Sequence, residues 1–478
     1  MSGTAAGADR PHPEEEFRRK SVVVIGGGIS GLCAAFWLKK KGYSVTVLER
    51  DPLPGGTMKS VREAGWLVET GPNSALETTP LFRQLFDELG ILGRHQYADE
   101  RSNNRYILRG GRLHSLPMTA GGFLATRLWT LPGKLRLLGE PFTGRAETEE
   151  SVADFVRRRL GREFLDYAIN PFVAGVFAGD PAKLSVRHAF PKLYALEEKY
   201  GGLILGMIRG RRERAARQET AKDRSRMFSF AGGMQEFPAA VAARLGNSFR
   251  PGCCVERIIP ARAGRRPVYT VYFRQDGAGL EEQADAVVLA TPAAAAASIV
   301  SAIDPATAAA LRSVYYPPVA EIFFGFRKQQ IPIPLDGFGF LVPEAERRRI
   351  LGTIWSSALF PDRAPEGYAA LTSFVGGARQ PELAAQSDEE LTRIVTEELG
   401  SIMGITGAPQ FSRIVRWETA IPQYNLGYQE VLRVLDRFEQ NFQGSFFCAN
   451  FRGGISVGDC LMSADRMATR IAAYLREE

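Results

Sequence analysis

The clearest hydrophobic pattern in the chain lies near its start. Residues 21–25, Ser-Val-Val-Val-Ile, are almost continuously apolar, which is typical of a short strand buried on both faces in a parallel sheet. The glycine-rich residues 26–31 follow, and a helical pattern over residues 32–41 stops at Gly42. Residues 44–49 then repeat the strand pattern. The order of strand, glycine turn, helix and strand predicts a βαβ unit.

Two later segments carry strand patterns that fit the same sheet. Residues 284–292 and residues 445–450 each contain a short β-branched or aromatic run. One parallel sheet is therefore predicted from three separated pieces of sequence. Between these pieces, residues 116–204 are mostly helical in pattern, whereas residues 313–375 contain strand-like runs such as 320–326. The predicted fold class is α/β, with a Rossmann-type domain, a mixed-sheet domain and a helical lobe.

Two apolar stretches raise the question of a membrane. Residues 286–303 have no charged residue, but Thr291 and Pro292 separate a β-branched run from an alanine-rich run. This break predicts a buried strand followed by a helix rather than a membrane span. Residues 117–142 mix leucines, Phe123 and Trp129 with basic residues. That composition fits either a helix lying in a membrane interface or a core helix of the lobe, and the pattern alone leaves both open.

Composition narrows the possible classes only slightly. The chain has 478 residues, enough for two or three domains, and its 45% apolar and 24% charged residues are ordinary globular values. The net charge of +7 favours acidic partners without identifying one. The five cysteines form no C-x-x-C pair and the four histidines lack ligand spacing, so we predict a reducing compartment and no bound metal. Two polar segments are predicted to lie outside the packed domains. The arginine-rich residues 209–226 contain no aromatic residue, which favours a solvated loop over nucleic-acid binding. The polar residues 1–19 are predicted to be a flexible tail.

The glycine turn has the spacing of a dinucleotide-binding fingerprint. In Gly26-x-Gly28-x-x-Gly31 the first glycine permits a tight turn, the second lets the backbone approach a diphosphate, and the third lets the helix pack on the strand. The helix N terminus presents free N–H groups to the phosphates. Glu49, at the end of the next strand, is placed to accept hydrogen bonds from ribose hydroxyls. This context favours a bound dinucleotide over a glycine turn without a ligand.

Further motifs favour FAD over NAD. A Gly-Gly element at residues 55–56, a Gly-Pro loop at residues 69–74 and a glycine-rich segment at residues 449–459 follow the fingerprint. With these motifs the sequence resembles the superfamily of FAD-dependent amine oxidases and phytoene desaturases. The resemblance narrows to the oxygen-dependent protoporphyrinogen oxidase family and covers nearly the whole chain after residue 20. The segments that carry it are residues 170–181, 189–193, 337–343, 360–365, 374–377 and 453–458.

The resemblance implies that FAD is held noncovalently. The S-G-G-C-Y stretch, where monoamine oxidases attach flavin to sulfur, is absent from this chain. A helix N terminus after residue 455 is expected to stabilise negative charge on the reduced flavin ring. The residues that match the family's FAD contacts are Gly26, Gly27, Gly28, Ile29, Ser30, Gly31, Glu49, Arg50, Thr57, Gly71, Pro72, Asn73, Ser74, Val255, Trp417, Ile455, Ser456 and Val457.

The resemblance also implies where a substrate binds and what happens to it. Arg105 matches the arginine that holds a substrate propionate, a role that suits a guanidinium fork. Asn73 is a candidate catalytic residue that steers the substrate at the flavin. The implied reaction is the oxidation of protoporphyrinogen IX to protoporphyrin IX with FAD and dioxygen, releasing hydrogen peroxide. The residues that match the family's apolar pocket are Phe338, Gly339, Leu341, Ile354 and Phe374.

Three alternatives remain open at this point. Coproporphyrinogen III is a rival substrate, and it would need a more cationic pocket for its four propionates. An oxidase of amines or carotenoids would leave the porphyrinogen-specific segments unexplained. A non-catalytic binding protein similar to the Rab GDP-dissociation inhibitors shares the fold, but the intact flavin-side motif at residues 453–459 opposes that reading.

The resemblance predicts how the chain is divided and where the protein is found. It implies peripheral attachment to a membrane, at its cytoplasmic face in a bacterium or in a plastid or mitochondrion of a eukaryote, and it leaves open whether the protein is a homodimer. The predicted domains are an FAD-binding domain of residues 20–98, 232–312 and 440–478, a substrate-binding domain of residues 99–115, 205–231 and 313–439, and a helical membrane-associated lobe of residues 116–204.

Overall fold

A computed structural model describes residues 20–209, 225–263 and 266–476. The predicted tail at residues 1–19 and most of the arginine-rich stretch at residues 209–226 lie outside the described residues. The strands β1–β20 are, in chain order, Ser21–Ile25, Ser44–Leu48, Ser60–Glu63, Trp66–Glu69, Ala75–Leu76, His95–Tyr97, Arg105–Arg109, Arg112–Ser115, Met227–Phe230, Phe249–Arg250, Cys254–Ala263, Arg266–Gln275, Ala278–Ala284, Ala286–Leu289, Val319–Arg327, Gly339–Leu341, Gly352–Ile354, Tyr368–Gly376, Phe411–Trp417 and Ser445–Phe447. The helices α1–α18 are Ile29–Lys40, Leu81–Glu88, Ala120–Ala125, Leu131–Arg136, Val152–Arg159, Arg162–Phe164, Asn170–Phe177, Val186–Ala189, Pro191–Tyr200, Leu203–Arg209, Glu236–Leu245, Ala293–Val300, Pro305–Arg312, Ser356–Leu359, Pro381–Ala384, Asp388–Met403, Tyr428–Asn441 and Val457–Arg476.

The predicted βαβ unit is the centre of a parallel five-stranded sheet in the order β10-β2-β1-β14-β20. The strands expected from three separated pieces of sequence therefore pair in one sheet. Two of these strands are shorter than predicted: β14 ends at Leu289 and β20 ends at Phe447. Helix α1 begins at Ile29, three residues earlier than expected, directly after the extended Gly28. The early start places the first turn of the helix against the glycine turn.

The second large sheet is mixed and has seven strands in the order β19-β15-β18-β17-β16-β7-β8. The β16–β7 pair is parallel and the other pairs are antiparallel. One face packs on helix α16 through residues such as Ile322, Phe324 and Leu391. The opposite face, which we call the lobe-side face, carries Val319 and Leu341, and these residues contact the helical lobe.

The amphipathic stretch at residues 117–142 is not one helix. It forms the short helices α3 and α4 and a 3-10 helix at Leu137–Phe142. Thr119 and Thr130 each accept a hydrogen bond from a backbone N–H in the first turn of the helix that follows, so the stretch contains two separate helix starts. Trp129 is buried and stacks on Phe164, with ring centroids 4.6 Å apart. Of the two possibilities left open for this stretch, Trp129 therefore fits the core one.

Although Trp129 is buried, other apolar side chains of the lobe are exposed to solvent. Leu131, Leu135, Leu138 and Phe142 are 55–90% exposed. Helix α10 contacts the 3-10 helix, and its residues Met207 and Ile208 are exposed as well. Among residues 20–209, 225–263 and 266–476, no helix combines the length and apolarity needed to cross a bilayer. Residues 286–303, where a span was considered, are strand β14 followed by helix α12.

Candidate active site

The glycine turn after β1 is an open cradle at the N terminus of α1. Gly26 has a φ of +109°, which a side chain would make costly, and a Cβ on Gly31 would lie 2.0 Å from the Gly26 carbonyl oxygen. A Cβ on Gly28 would have no heavy atom within 4 Å. Helix α1 has no capping side chain and no acidic residue in its first turn. The cradle therefore has room and free donors for a diphosphate.

Glu49 stands beside this cradle, as its place at the end of β2 predicts. Its Oε2 accepts a hydrogen bond from the Gly27 N–H, and its Oε1 accepts one from the Asp51 N–H at 2.8 Å. Each carboxylate oxygen has a second lone pair, so ribose hydroxyls can still bind. The Cys253 N–H donates to the Glu49 carbonyl oxygen at 2.7 Å, which brings the start of β11, with Val255, to this edge of the sheet.

The predicted FAD residues after Glu49 do not all turn toward the cradle. The Arg50 side chain is 76% exposed and lies 3.5 Å from Asp51. The Gly-Gly element does approach, because Gly55 pairs with Gly28 and its N–H donates to the Gly27 carbonyl at 2.8 Å. The structure therefore places the two glycine motifs against each other, although they are separated by more than twenty residues.

The Gly-Pro loop at residues 70–74 is held on two sides. A Cβ on Gly71 would lie 2.0 Å from the Thr57 carbonyl oxygen, so only glycine allows this close approach. The Trp417 Nε1–H donates to the Thr70 carbonyl at 2.7 Å. Trp417 is the last residue of β19, so this bond joins the loop to the seven-stranded sheet. Thr57, Gly71 and Trp417, which are all predicted FAD contacts, thus lie together at this loop.

A buried ion pair anchors the start of the same loop. The Glu69 carboxylate accepts hydrogen bonds from Arg363 at 3.2 Å and from the Met234 N–H at 3.0 Å, and both charged side chains are almost fully buried. Burial raises the pKa of Glu69, and the Arg363 guanidinium opposes that rise. Breaking such a pair leaves an uncompensated buried charge. The pair therefore fixes the loop relative to the segment after α14.

The glycine-rich segment after β20 forms the third wall. Gly453 and Gly454 both have positive φ, and the Tyr424 hydroxyl accepts a hydrogen bond from the Gly454 N–H at 3.2 Å. Ser456 caps helix α18 by accepting a hydrogen bond from the Asp459 N–H at 3.2 Å, and its own hydroxyl donates to the Asp459 carboxylate at 2.6 Å. An acidic group already occupies this helix end. Because the Asp459 carboxylate offsets the positive end of the helix dipole, this helix would stabilise the negative charge of a reduced flavin less than expected.

Ile455 joins two parts of the molecule. It packs against the core beneath the parallel sheet and against the core of the helical lobe. Val457, at the first position of α18, is buried in the other core of the nucleotide-binding region. The predicted residues Ile455 to Val457 therefore lie where the parallel sheet meets the lobe.

The predicted pocket residues share the lobe-side face of the large sheet. Directly paired residues in a sheet point to the same face. Glu321, Phe374, Gly352 and Leu341 are paired in one row across strands β15, β18, β17 and β16. The next row on this face contains Phe323, Thr372, Ile354, Gly339 and Arg105. The structure thus brings together the substrate-side residues that the sequence places more than two hundred positions apart.

Arg105 lies at the outer end of this face. It is exposed, and its guanidinium carbon is 5.8 Å from the centre of the Phe338 ring. Among the described residues, no carboxylate lies within ion-pairing distance of Arg105. Gly339 follows Phe338 with a φ of +131°, and a Cβ there would lie 2.0 Å from the Thr353 carbonyl oxygen. This glycine lets the chain enter β16 with Phe338 beside the arginine.

Glu321 is a candidate site residue that was not predicted from the sequence. Its side chain is 3% exposed and lies in β15 on the lobe-side face. Within the described part of the chain, its Oε1 has no hydrogen-bond partner. Burial raises the pKa of Glu321 well above its ordinary value, and hydrogen bonding with the Asn73 side chain opposes the rise. The available signal was a single acidic residue inside an otherwise apolar strand pattern, residues 319–326.

Three groups of observations bear on what the site holds. The open cradle at Gly28, the two glycine motifs in contact and the carboxylate of Glu49 fit a dinucleotide. No cluster of three or more metal-ligating side chains occurs in residues 20–209, 225–263 and 266–476. The model of flavin containing amine oxidoreductases matches residues 29–472. The chain belongs to this family.

Individual relatives agree with this assignment. The chain is 35% identical to the mitochondrial protoporphyrinogen oxidase of Nicotiana tabacum over 95% of each chain. It is 29% identical to the coproporphyrinogen III oxidase of Bacillus subtilis over 96% of this chain and 99% of that protein. The cyclohexylamine oxidase of Brevibacterium oxydans shares the fold, with a TM-score of 0.68 and 17% identity over 96% of this chain and 100% of that one.

Family membership confirms the resemblance stated from the sequence. This flavin amine oxidoreductase is an FAD-dependent enzyme, and its α/β fold is that of the family. The cradle at residues 26–31, Glu49 and the loop at residues 70–74 are the parts of this chain that fit FAD. The roles of the individual residues remain predictions.

Proposed function

We propose that this enzyme oxidises protoporphyrinogen IX to protoporphyrin IX, with dioxygen as the electron acceptor. Relatives named protoporphyrinogen oxidase and coproporphyrinogen III oxidase match nearly the whole chain, which supports a porphyrinogen substrate in tetrapyrrole biosynthesis. The observation that carries the proposal is the lobe-side face: it is apolar through Phe374, Leu341 and Ile354 and ends at Arg105, which has no ion pair among the described residues. An apolar macrocycle of pyrrole rings with carboxylate arms suits such a surface.

The number of propionates distinguishes the two candidate substrates, because protoporphyrinogen has two and coproporphyrinogen has four. Four further arginines belong to the lobe-side face: Arg109 pairs with Glu163 at 2.8 Å and Arg413 with Glu63 at 2.6 Å, whereas Arg112 and Arg327 form no ion pair among the described residues. The number of arginines on this face therefore does not choose between the substrates. The higher identity to the protoporphyrinogen oxidase, 35% against 29%, supports protoporphyrinogen, and coproporphyrinogen III is the competitor to be measured.

The chain contributes mainly positioning to this reaction. When bound at the cradle of residues 26–31, FAD would supply the acceptor for a hydride from a bridging methylene of the substrate. Arg105 would hold a propionate at the rim, and Phe338 beside it would pack on the edge of the macrocycle. The loop at residues 70–74, held by Trp417 and by the Glu69–Arg363 pair, keeps Asn73 next to Glu321. Holding the reacting carbon in one orientation supplies a large share of such a rate enhancement.

An anaerobic half-reaction tests the proposal. FAD-loaded protein is mixed with protoporphyrinogen IX without oxygen, and the loss of flavin absorbance is followed before air is admitted. We expect bleaching first and porphyrin fluorescence with hydrogen peroxide afterwards. The same measurement with coproporphyrinogen III compares the two substrates. Protein that keeps its yellow colour with both porphyrinogens would contradict the proposed function.

Arg105→Ala tests the assignment of the propionate partner. Loss of one charge-assisted pair is expected to raise the apparent Kd for the substrate by about tenfold to about a hundredfold, with FAD content unchanged. Arg244→Ala is the matched control, because Arg244 is an exposed arginine in α11, outside the large sheet. Loss of FAD from Arg105→Ala, or an equal effect of both variants, would contradict the assignment.

The exposed apolar side chains of the lobe support a second part of the proposal. We propose that Leu131, Leu135, Leu138 and Phe142, with Met207 and Ile208, rest on an anionic membrane surface. Lys134 and Arg136 lie among them in α4, and the chain has a net charge of +7, which suits negatively charged lipid. We also propose the division into FAD-binding, substrate-binding and lobe segments given above, because the parallel sheet, the seven-stranded sheet and most of the lobe helices lie in those segments. Strand β9 is the exception, since it pairs with β5 and β6 of the FAD-binding segments.

A further inference from the structure

Glu321 is a buried acid on the face that carries the predicted substrate residues. It occupies the same row as Phe374, Gly352 and Leu341 and is 3% exposed. Within the described residues its Oε1 has no hydrogen-bond partner. A buried polar atom without a partner is costly, so such an atom in an active site points to a ligand that completes it. A porphyrinogen offers a complementary group, because its four pyrrole N–H donors point toward the centre of the ring.

Resting on the proposed function, we infer that Glu321 accepts the proton that a pyrrole N–H of the substrate loses during oxidation. In the first two-electron step one methylene C–H bond would break, and its electron pair would leave with the hydrogen to the bound FAD. One pyrrole N–H bond breaks as well, its electron pair stays on the nitrogen, and its proton forms an O–H bond on Glu321. The substrate loses one hydride and one proton, which balances the step.

Among the described residues that face Glu321, no other side chain is free to accept a proton, and His114, the other titratable group of this row, lies five strands away. Its neighbours on the adjacent strands, Phe374 and Val415, carry no charge. On the side of the loop at residues 70–74 its neighbour is Asn73, which does not titrate. The negative charge of Glu69 also acts on Glu321, but the Glu69 carboxylate is already paired with Arg363. Helix α7 of the lobe faces this region with Ala174 and contributes no charge there.

The same surroundings predict a pH dependence. Burial raises the pKa of Glu321, Asn73 opposes the rise, and the Glu69 carboxylate adds to it. A base is efficient when its pKa lies near the working pH, and only its ionised form accepts a proton. The rate of flavin reduction is therefore expected to rise with pH as Glu321 ionises.

Glu321→Gln tests this role because glutamine keeps the size of the side chain and cannot take the proton. Flavin reduction by protoporphyrinogen IX is measured anaerobically in the FAD-loaded full chain from about pH 5 to about pH 9. We expect the variant to be slower by about a hundredfold and to lose the rise with pH. Glu321→Asp, which keeps a carboxyl group, is expected to keep the rise. Glu398→Gln is the matched control, because Glu398 is 4% exposed and lies on the opposite side of the large sheet in α16.

A spectroscopic readout separates this role from a structural one. Infrared difference spectra of the resting FAD-loaded protein are expected to show a protonated carboxyl band that disappears on raising the pH and is absent from Glu321→Gln. Equal pH profiles for the wild type and Glu321→Gln, with a bleaching wild type, would overturn the role of Glu321 and leave the proposed function standing. A wild type that neither porphyrinogen bleaches, with the carboxyl band present, would instead overturn the proposed function.

Discussion

At the scale of single residues, partners decide what a buried acid does. Glu69 and Glu321 are both buried glutamates near the loop at residues 70–74. Glu69 has Arg363 and two further donors, which makes it an anchor. Glu321 has no cationic partner in the described part of the chain, and it faces the predicted substrate residues. The two acids look alike in the sequence, since each stands within an apolar strand.

Because Glu321 is buried without a cationic partner among the described residues, it predicts how the stability of the protein depends on pH. Its pKa is raised in the folded protein, so its contribution to stability is fully present below the ordinary pKa of a glutamate and is lost as pH rises through the folded pKa. Glutamine does not titrate. We therefore expect Glu321→Gln to be more stable than the wild type by more than about 1 kcal/mol near pH 8, with the difference shrinking toward about pH 4. Urea unfolding of the full chain at several pH values measures this. A constant difference across the range would contradict it.

At the scale of elements, local patterns predicted the βαβ unit and the helical lobe, but not the detail of residues 117–142. The strand, glycine turn and helix of residues 21–40 follow from contacts between near neighbours in the chain. The stretch at residues 117–142 has an amphipathic composition, but Thr119 and Thr130 cap two short helices, and Trp129 is buried by Phe164 from a later helix. Composition could not reveal that burial, because the covering ring is more than thirty positions away.

The glycine turn predicts different outcomes for two similar substitutions. Gly31→Ala places a methyl group 2.0 Å from the Gly26 carbonyl, and we expect a loss of about 1–3 kcal/mol of stability. Gly28→Ala meets no heavy atom within 4 Å, so the protein without FAD should unfold within about 0.5 kcal/mol of the wild type. Its methyl group enters the space left for the diphosphate, and FAD should bind at least about tenfold more weakly. Thermal unfolding without FAD and a fluorescence titration with FAD measure the two effects. Wild-type FAD affinity in Gly28→Ala would show that the diphosphate lies elsewhere.

At the scale of the whole molecule, half of the exposed large apolar side chains among the described residues lie in the lobe. Leu138 and Phe142 are 71% and 90% exposed. If this surface rests on lipid, Leu138→Glu with Phe142→Glu should reduce co-flotation with anionic liposomes by about tenfold or more and leave flavin reduction intact. Leu280→Glu with Leu426→Glu is the matched control, because both leucines are exposed outside the lobe. Equal flotation of both double variants and the wild type would contradict docking through this surface.

The sequence alone was sufficient wherever the information lies between near neighbours. The spacing of Gly26, Gly28 and Gly31, followed by Glu49, predicts a strand, a turn and a helix that hold a dinucleotide, because each of these requirements concerns a few consecutive residues. The later motifs resemble those of a flavin-dependent family and so predicted that the dinucleotide is FAD, which family membership confirms.

Tertiary structure decided what depends on residues far apart in the chain. Pairing across four strands places Glu321 in one row with Phe374 and Leu341, and no periodicity within a single strand can show which strands become neighbours. Partners likewise come from distant segments, as Arg363 does for Glu69. Side-chain types and local turns were therefore readable from the sequence, whereas the face, the partner and the burial of each side chain came from the fold.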